Sequence, residues 1–227
     1  MASIEPSLLA GDFARLGKSL DVLEVLGVST VHIDVMDGHF RPLISAGQPV
    51  VRSICKATPL NVDVHLMVER PERYIEDFVK VGANSLAFHL EATENVALAI
   101  GPAQRLGVKV GLALNAATPV GGCFEVLEDL DFVLVETGTG RVLPQALKKV
   151  AALAKEREAR GLNFAIAVEG DLGAGEAAEL LPAGVDILVV GSAIFENNER
   201  GEAIRAFARA LSGSSAAFGQ ETKSRVH

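Results

Sequence analysis

The stretch Gly27-Val28-Ser29-Thr30-Val31-His32 begins with a glycine, passes through short spacers and runs into an apolar segment. The same pattern returns along the chain. A glycine in this position is typical of a residue that ends a helix and turns the chain into a strand. We therefore read each copy as the junction between a helix and the next strand. The further copies begin at Gly82, Gly107, Gly161 and Gly184.

The apolar runs that follow these glycines do not alternate between apolar and polar residues. Such runs predict strands buried on both faces, as parallel strands covered by helices are. Segments 3–6, 60–65 and 131–135 bring the expected strands to eight. Helix-like stretches lie between the strands, most clearly at 71–81, 143–160 and 199–211. Eight βα units in about 210 residues predict a compact α/β fold, a single (β/α)8 TIM barrel.

The domain organisation follows from this pattern. No linker divides the 227 residues, so we expect one catalytic barrel domain over 1–211 and a small, polar, flexible tail over 212–227. A doubly wound open sheet is the structural alternative. It is disfavoured because no Gly-x-Gly-x-x-Gly follows the first strand.

Composition limits the partners and the location. The formal net charge of −8 argues against a nucleic-acid or anionic-membrane surface, because no basic cluster is present to neutralise phosphates. No apolar run is long enough to span a membrane, and the chain enters its first strand without a signal segment. Cys55 and Cys123 lack metal-type spacing and are expected to be reduced, packed thiols. We expect a cytoplasmic protein.

Two strand ends carry metal-ligand residues. His32 and Asp34 are two residues apart, so on a strand they point the same way, and His65 ends the next strand. A single pair of this kind favours a buried, hydrogen-bonded histidine, but two matched strand ends favour a divalent metal site. Imidazole and carboxylate ligands suit Zn, Fe, Mn or Co. Further polar residues follow the other strands, as an active site at the barrel rim requires; these are Ser7, His89, Glu91, Asn115, Glu136, Glu169 and Ser192.

These motifs resemble those of the ribulose-phosphate 3-epimerases. The resemblance extends from Pro6 to Phe195, nearly the whole predicted barrel. Its most specific parts are His32-Ile33-Asp34-Val35-Met36-Asp37-Gly38, Asp63-Val64-His65-Leu66-Met67-Val68 with Pro71 and Tyr74, and Leu114-Asn115-Ala116-Ala117-Thr118-Pro119.

The resemblance implies a 3-epimerase that interconverts ribulose 5-phosphate and xylulose 5-phosphate. It also implies a divalent ion held by His32, Asp34, His65 and Glu169, with Asp34 and Glu169 as the acid/base pair. Met36 and Met67 would form an apolar floor near the reacting carbons, and Ser7 would touch substrate oxygens. We further expect a homo-oligomer. The remaining expected substrate contacts are Gly138, Gly140, Arg141, Gly170, Gly191 and Ser192.

Three features depart from the family pattern. Glu169 stands where the family has aspartate, which advances the carboxylate by about 1.5 Å. The glycine-rich loop after the sixth strand is shortened to Glu136-Thr137-Gly138-Thr139-Gly140-Arg141, with Glu136 near the place of a floor methionine. Asp171 replaces a glycine and would repel a phosphate dianion, whereas Arg141 could attract it.

Three functional hypotheses remain from the sequence. The first is the metal-dependent 3-epimerase of a ketose phosphate. The second is an epimerase of a different or unphosphorylated ketose, and the third is a non-catalytic sugar-binding barrel that has lost turnover through Glu169. Barrel lyases and decarboxylases with an Asp-x-Lys-x-x-Asp strand are disfavoured, because the comparable stretch carries no lysine.

Overall fold

The computed structural model describes residues 2–138, 144–196 and 200–221, with side chains as far as residue 211. Its eight parallel strands form one sheet in the order β1-β8-β7-β6-β5-β4-β3-β2. A parallel bridge between Ser7 and His32 joins the two outer strands. This closure confirms the (β/α)8 barrel and excludes the open doubly wound sheet. The strands are β1 (Ser3–Pro6), β2 (Thr30–Met36), β3 (Asn61–Met67), β4 (Ser85–His89), β5 (Lys109–Leu114), β6 (Phe132–Glu136), β7 (Ala165–Gly170) and β8 (Ile187–Val190).

Helices cover the outside of the barrel. The α-helices are α1 (Leu16–Val25), α2 (Gln48–Ala57), α3 (Ile75–Lys80), α4 (Val96–Arg105), α5 (Pro144–Arg160), α6 (Ala174–Leu180), α7 (Ser192–Phe195) and α8 (Arg200–Glu221). Shorter 3₁₀ turns occupy Leu8–Ala10, Phe13–Arg15, Pro71–Arg73, Leu90–Ala92 and Leu181–Ala183. The β5–β6 connection is a 3₁₀ segment, Val120–Asp129, where Gly121 and Gly122 lower the helix propensity.

The three helices expected most clearly from the sequence are all present. The stretch 71–81 forms a 3₁₀ turn followed by α3, and 143–160 and 199–211 correspond to α5 and α8. Residues 143 and 199 lie outside the described part of the chain. Helix α8 continues past the expected end of the barrel to Glu221, and the flexibility of 212–227 stays a prediction.

The five repeated glycines adopt the backbone conformation that the sequence analysis requires. Each has a positive φ in the left-handed region, from +63° to +115°. A side chain at such a position would clash with its own backbone, so glycine ends the helix and redirects the chain into the next strand. The values belong to Gly27, Gly82, Gly107, Gly161 and Gly184.

Apolar residues pack in two layers, one between strands and helices and one inside the barrel. Small residues inside the barrel make room for a few large ones. The Phe132 ring lies so close to Gly111 that a Cβ there would be 2.4 Å from it. Only glycine fits beneath this ring, and the packed interior holds the strands that carry the site at their carboxyl ends.

The end of the barrel where the strands begin contains a cavity of about 320 Å³. Glu5 lines it, is 9% exposed and has no side-chain hydrogen bond among the described residues. Burial, followed by repulsion from Asp63, raises the pKa of Glu5 to about 8, although His32 and Lys109 act in the opposite direction. The Glu5 carboxyl is therefore neutral at neutral pH.

Both cysteines are free thiols: Cys123 is buried and Cys55 is partly buried. This agrees with the packed, reduced thiols expected from the sequence. None of the helices in the described ranges combines the length and the apolar character that a membrane span requires.

Candidate metal centre and active site

The register of the sheet brings the sequence motifs together at the carboxyl ends of the strands. In the β2–β3 pair, Asp34 lies beside His65 and Met36 lies beside Met67. On the other side of the barrel mouth, β7 carries Glu169. Strands β1 and β8 separate β2 from β7 in the sheet, so Glu169 faces Asp34 and His65 across the mouth.

Four side chains converge at this point. The His65 Nδ1 atom is 2.9 Å from Glu169 Oε2 and 3.3 Å from Asp34 Oδ1. The His32 Nε2 atom is 3.4 Å from Asp34 Oδ1 and 3.7 Å from Glu169 Oε1. One ligand atom from each residue lies within 4.8 Å of the others. The structure thus brings together all four residues that the sequence assigned as ligands.

The same four residues carry buried polar atoms that make no hydrogen bond of good geometry, although they lie close to one another. These atoms are His32 Nε2, Asp34 Oδ1, His65 Nδ1 and Glu169 Oε2. Burying a polar atom without a hydrogen bond is costly, so a cluster of such atoms indicates a site that binds an ion. Two imidazole nitrogens and two carboxylate oxygens form the donor set of a divalent transition ion, and the residues present fit such an ion.

The pKa values of three of the four residues, His32, His65 and Glu169, are all raised. Burial by itself would lower the pKa of His65, but Glu169 and Asp34 outweigh burial and raise it to about 9. The pKa of His32 is raised well above its usual value by the same two carboxylates, again against burial. Burial and then repulsion from Asp34 raise the pKa of Glu169. Without an ion the site holds protons, and a divalent cation would replace them.

Hydrogen bonds from outside fix the orientation of two of the candidate ligands. The Ser7 hydroxyl donates to Asp34 Oδ2 at 2.7 Å. His32 Nδ1 lies 2.8 Å from Asp63 Oδ2, and Ser85 donates to the other oxygen of Asp63. Carboxylates that hold the far nitrogen of a ligating histidine fix its tautomer and increase its basicity. With Nδ1–H donating to Asp63, the Nε2 of His32 is left free for an ion.

His65 is supported by a second histidine. Its Nε2 atom is 3.0 Å from Nε2 of His89, and His89 Nδ1 is 3.1 Å from Glu91 Oε2. Burial acts to raise the pKa of Glu91, but bonds from His89 and Thr118 lower it to about 2. Glu91 therefore remains an ionised acceptor for His89. Asn115 N–H and the Thr118 hydroxyl also donate to Glu91.

The mouth of the barrel contains a cavity of about 560 Å³, which we call the large lobe. Its lining includes the expected contacts from β1, β2, β7 and β8. Gly170 also lines it and has a φ of +156°, and a Cβ there would be 1.9 Å from Thr137 Oγ1, so the position requires glycine. The lining of this lobe also includes Ser7, Asp34, Glu169, Asp171, Gly191 and Ser192.

Asp171 places a carboxylate in the lining of the large lobe. The Ser192 hydroxyl donates to Asp171 Oδ1 at 2.7 Å, so this hydroxyl is already engaged by a carboxylate. Gly138 lines the lobe as expected. Gly140 and Arg141, which the sequence analysis assigned to substrate binding, lie outside the described residues.

A second cavity of about 290 Å³, the small lobe, adjoins the first. Met36 and Met67 both line it, as the expected apolar floor would. Gly138, Glu169 and Gly170 line both lobes, so the lobes meet at Glu169. The remaining walls of the small lobe are Arg41 and Glu136.

Arg41 and Glu136 form an ion pair at the rim of the small lobe. The Nη2 group of Arg41 donates both to Glu136 Oε2 and, at 2.5 Å, to Asn115 Oδ1. Glu136 is buried, which acts to raise its pKa, yet His89, His65 and Arg41 lower it to about 2. Glu136 is therefore ionised and keeps its ion pair with Arg41.

Sequence reasoning missed several of these roles. Asp63 is two residues before His65 on β3, and that spacing was a usable signal that it points toward the same interior. Arg41 lies in the β2–α2 loop, where no pattern indicated that it reaches β5 and β6. Glu5 was hidden in the first strand because a single acidic residue gives no periodic signal.

Comparison with known proteins gives a consistent result. A model of the ribulose-phosphate 3-epimerase family matches residues 3–195. The chain is 42% identical over 203 residues to a ribulose-phosphate 3-epimerase of Treponema pallidum (strain Nichols), covering 87% of this chain and 93% of that protein. It is 40% identical over 213 residues to one of Bacillus subtilis (strain 168), covering 90% and 97%.

Solved structures of other barrels share the fold at low identity. The 3-hexulose-6-phosphate synthase of Salmonella typhimurium superposes with a TM-score of 0.72 at 16% identity, covering 93% of this chain and 99% of that one. At this identity the likeness concerns the barrel architecture.

Proposed function

The chain belongs to the ribulose-phosphate 3-epimerase family, and from this premise we propose that it interconverts ribulose 5-phosphate and xylulose 5-phosphate. It is an isomerase of the epimerase class. The observation that carries the proposal for the site is the cluster of four buried ligand atoms on His32, Asp34, His65 and Glu169, which lie within 4.8 Å of one another and make no hydrogen bond of good geometry.

Epimerisation inverts the carbon next to the ketone. One group must remove the proton from one face of that carbon, and another must return a proton to the opposite face. Asp34 and Glu169 come from β2 and β7 and both line the large lobe. In this proposal they are the acid/base pair, and the Ser7 hydroxyl bound to Asp34 Oδ2 orients the first carboxylate.

A divalent ion held by these four residues would supply positive charge against the negative charge that develops on the substrate oxygens. The histidines need to be neutral for this role, and Asp63 provides the acceptor that leaves His32 Nε2 free. Met36 and Met67 have no proton to donate, so they exclude water from the carbanionic carbon without quenching it. Zn, Fe, Mn and Co all suit this ligand set.

The direct test is solvent deuterium exchange at C3 of ribulose 5-phosphate in the metal-loaded protein. Asp34→Asn should lower turnover by about 10²–10⁴-fold with little change in thermal unfolding. Glu169→Gln should abolish inversion, while one carboxylate can still exchange a proton on its own face. An exposed aspartate on α1, changed as Asp21→Asn, is the matched control and should retain full activity.

No exchange with any ketose despite a bound ion would refute the proposal and favour a non-catalytic sugar-binding barrel. Substantial activity in Asp34→Asn would mean that another residue moves the proton.

The carboxylate of Asp171 in the large lobe favours a second candidate, the same reaction on an unphosphorylated ketose. Running the exchange assay on free ribulose beside the phosphate distinguishes the two substrates. We also retain a homo-oligomer and a cytoplasmic location as proposals. Light scattering after size-exclusion chromatography measures the first, and cell fractionation measures the second.

A further inference from the structure

The small lobe has a charged pair beside the two methionines of its apolar floor. Arg41 and Glu136 line this lobe together with Met36 and Met67, and their side chains are 32% and 15% exposed. The epimerisation chemistry itself does not use this pair. Charged groups that sit beside a reaction site without a chemical task are candidates for substrate selection.

The guanidinium of Arg41 is held in place, but only some of its hydrogen-bond donors have acceptors. Both hydrogens of Nη2 are used, one by Glu136 and one by Asn115, and the guanidinium carbon lies 5.4 Å from the centre of the Phe40 ring. The donors on Nη1 and Nε have no partner among the described residues. An anchored guanidinium with spare donors is preorganised to bind an oxygen atom.

Glu136 complements these donors with an acceptor. Its Oε2 bonds Arg41, and its Oε1 lies 3.5 Å from His89 Nε2. A hydroxyl group both donates and accepts, so it can satisfy both members of the pair at once. A methyl group would satisfy neither, and an anionic group would be repelled by Glu136.

The volumes of the two lobes indicate which end of the substrate lies in the small lobe. This assignment rests on the proposed function. The acid/base residue Glu169 lies where the lobes meet, so C2 and C3 of the ketose belong near that boundary. The end beyond C3 carries two more carbons and the phosphate and needs the lobe of about 560 Å³. The single C1 carbon with its hydroxyl fits the lobe of about 290 Å³.

We propose that Arg41, paired with Glu136, is a specificity-determining residue that binds the C1 hydroxyl of the substrate. The enzyme is thereby selective for ketoses with a free primary hydroxyl next to the carbonyl. It discriminates against 1-deoxy ketoses, which leave the pair without its partner, and against ketoses with an acidic group at C1.

The test compares D-xylulose 5-phosphate with 1-deoxy-D-xylulose 5-phosphate in the metal-loaded enzyme, with C3 deuterium exchange followed by NMR. We expect the wild type to favour the hydroxylated substrate in kcat/KM by about 10- to 100-fold beyond the intrinsic difference in reactivity. Arg41→Met should remove this preference by lowering kcat/KM for the hydroxylated substrate only. Arg52→Met, an exposed arginine on α2, should leave the ratio unchanged.

The double variant Arg41→Met/Glu136→Met removes both charges, so it tests the inference even if the single variant leaves Glu136 unpaired and fails to fold. It should also lack the preference. Equal losses on both substrates in a folded variant, or an unchanged ratio, would overturn the inference while the proposed function stands. If the wild type exchanges neither substrate, the proposed function is wrong and this inference falls with it.

Discussion

Replacing Glu5 by glutamine should stabilise the protein at neutral pH. Burial and then repulsion from Asp63 raise the pKa of Glu5 from 4.5 to about 8. At a pH between these two values, the Glu5 carboxyl keeps its proton in the folded chain but has released it in the unfolded chain. The contribution of Glu5 to stability is therefore fully present below pH 4.5 and is lost as the pH rises towards 8.

The magnitude follows from the same two pKa values. The free energy of unfolding falls by about 1.4 kcal/mol for each pH unit within this window. At pH 7 the accumulated loss is about 3 kcal/mol. Glutamine resembles the protonated carboxyl in shape and cannot ionise, so Glu5→Gln should recover up to that amount at pH 7 and almost nothing at pH 4.5.

Urea unfolding at several pH values between 4.5 and 8, in the presence of a chelator, measures this difference without a contribution from metal binding. Glu24→Gln on α1 changes an exposed glutamate and serves as the control. A gain in stability that is the same at pH 5 and pH 7, or no gain at all, would refute the reasoning, because only a pH-dependent gain reports the ionisation of Glu5.

Three further predictions concern the mouth of the barrel. The purified protein should bind about one divalent ion per chain, and elemental analysis of His32→Ala/His65→Ala should find that ion lost; unchanged metal content would contradict the assigned site. Asp63→Asn should weaken metal affinity by about 10- to 100-fold without removing a ligand, as measured by competition with a chelating dye. Asp171→Gly should tighten ribulose 5-phosphate binding by about 1 kcal/mol, because it removes a like charge; an unchanged Michaelis constant would mean that the phosphate lies elsewhere.

The parts of the fold set by local chemistry could be predicted from the sequence. Glycines such as Gly27 and Gly82 mark helix ends because glycine adopts the left-handed backbone without a steric penalty, and the strands follow from uninterrupted apolar runs. The β5–β6 connection was less predictable, because Gly121 and Gly122 favour a 3₁₀ segment over the expected helix.

In the candidate site, too, some residues could be predicted from local sequence patterns and others could not. His32 and Asp34 were predictable because strand periodicity puts both on one face, and His65 because β3 is the neighbouring strand. The contact between Arg41 and Glu136 joins residues far apart in sequence through loop geometry, which no local pattern encodes. The hydrogen bond from Ser192 to Asp171 likewise depends on how the loop after β7 meets the start of α7.

The candidate metal ligand His32 is held by Asp63, which accepts from Ser85, near the end of the barrel where the strands begin. Arg41 and Asp171, which line the cavities proposed to hold the two ends of the substrate, lie instead on loops at the opposite rim. Under these proposals, the residues that hold the ion and the residues that select the sugar lie at different levels of one barrel. Substitutions in the rim loops can therefore change the substrate, in evolution or in design, while the proposed metal site stays the same.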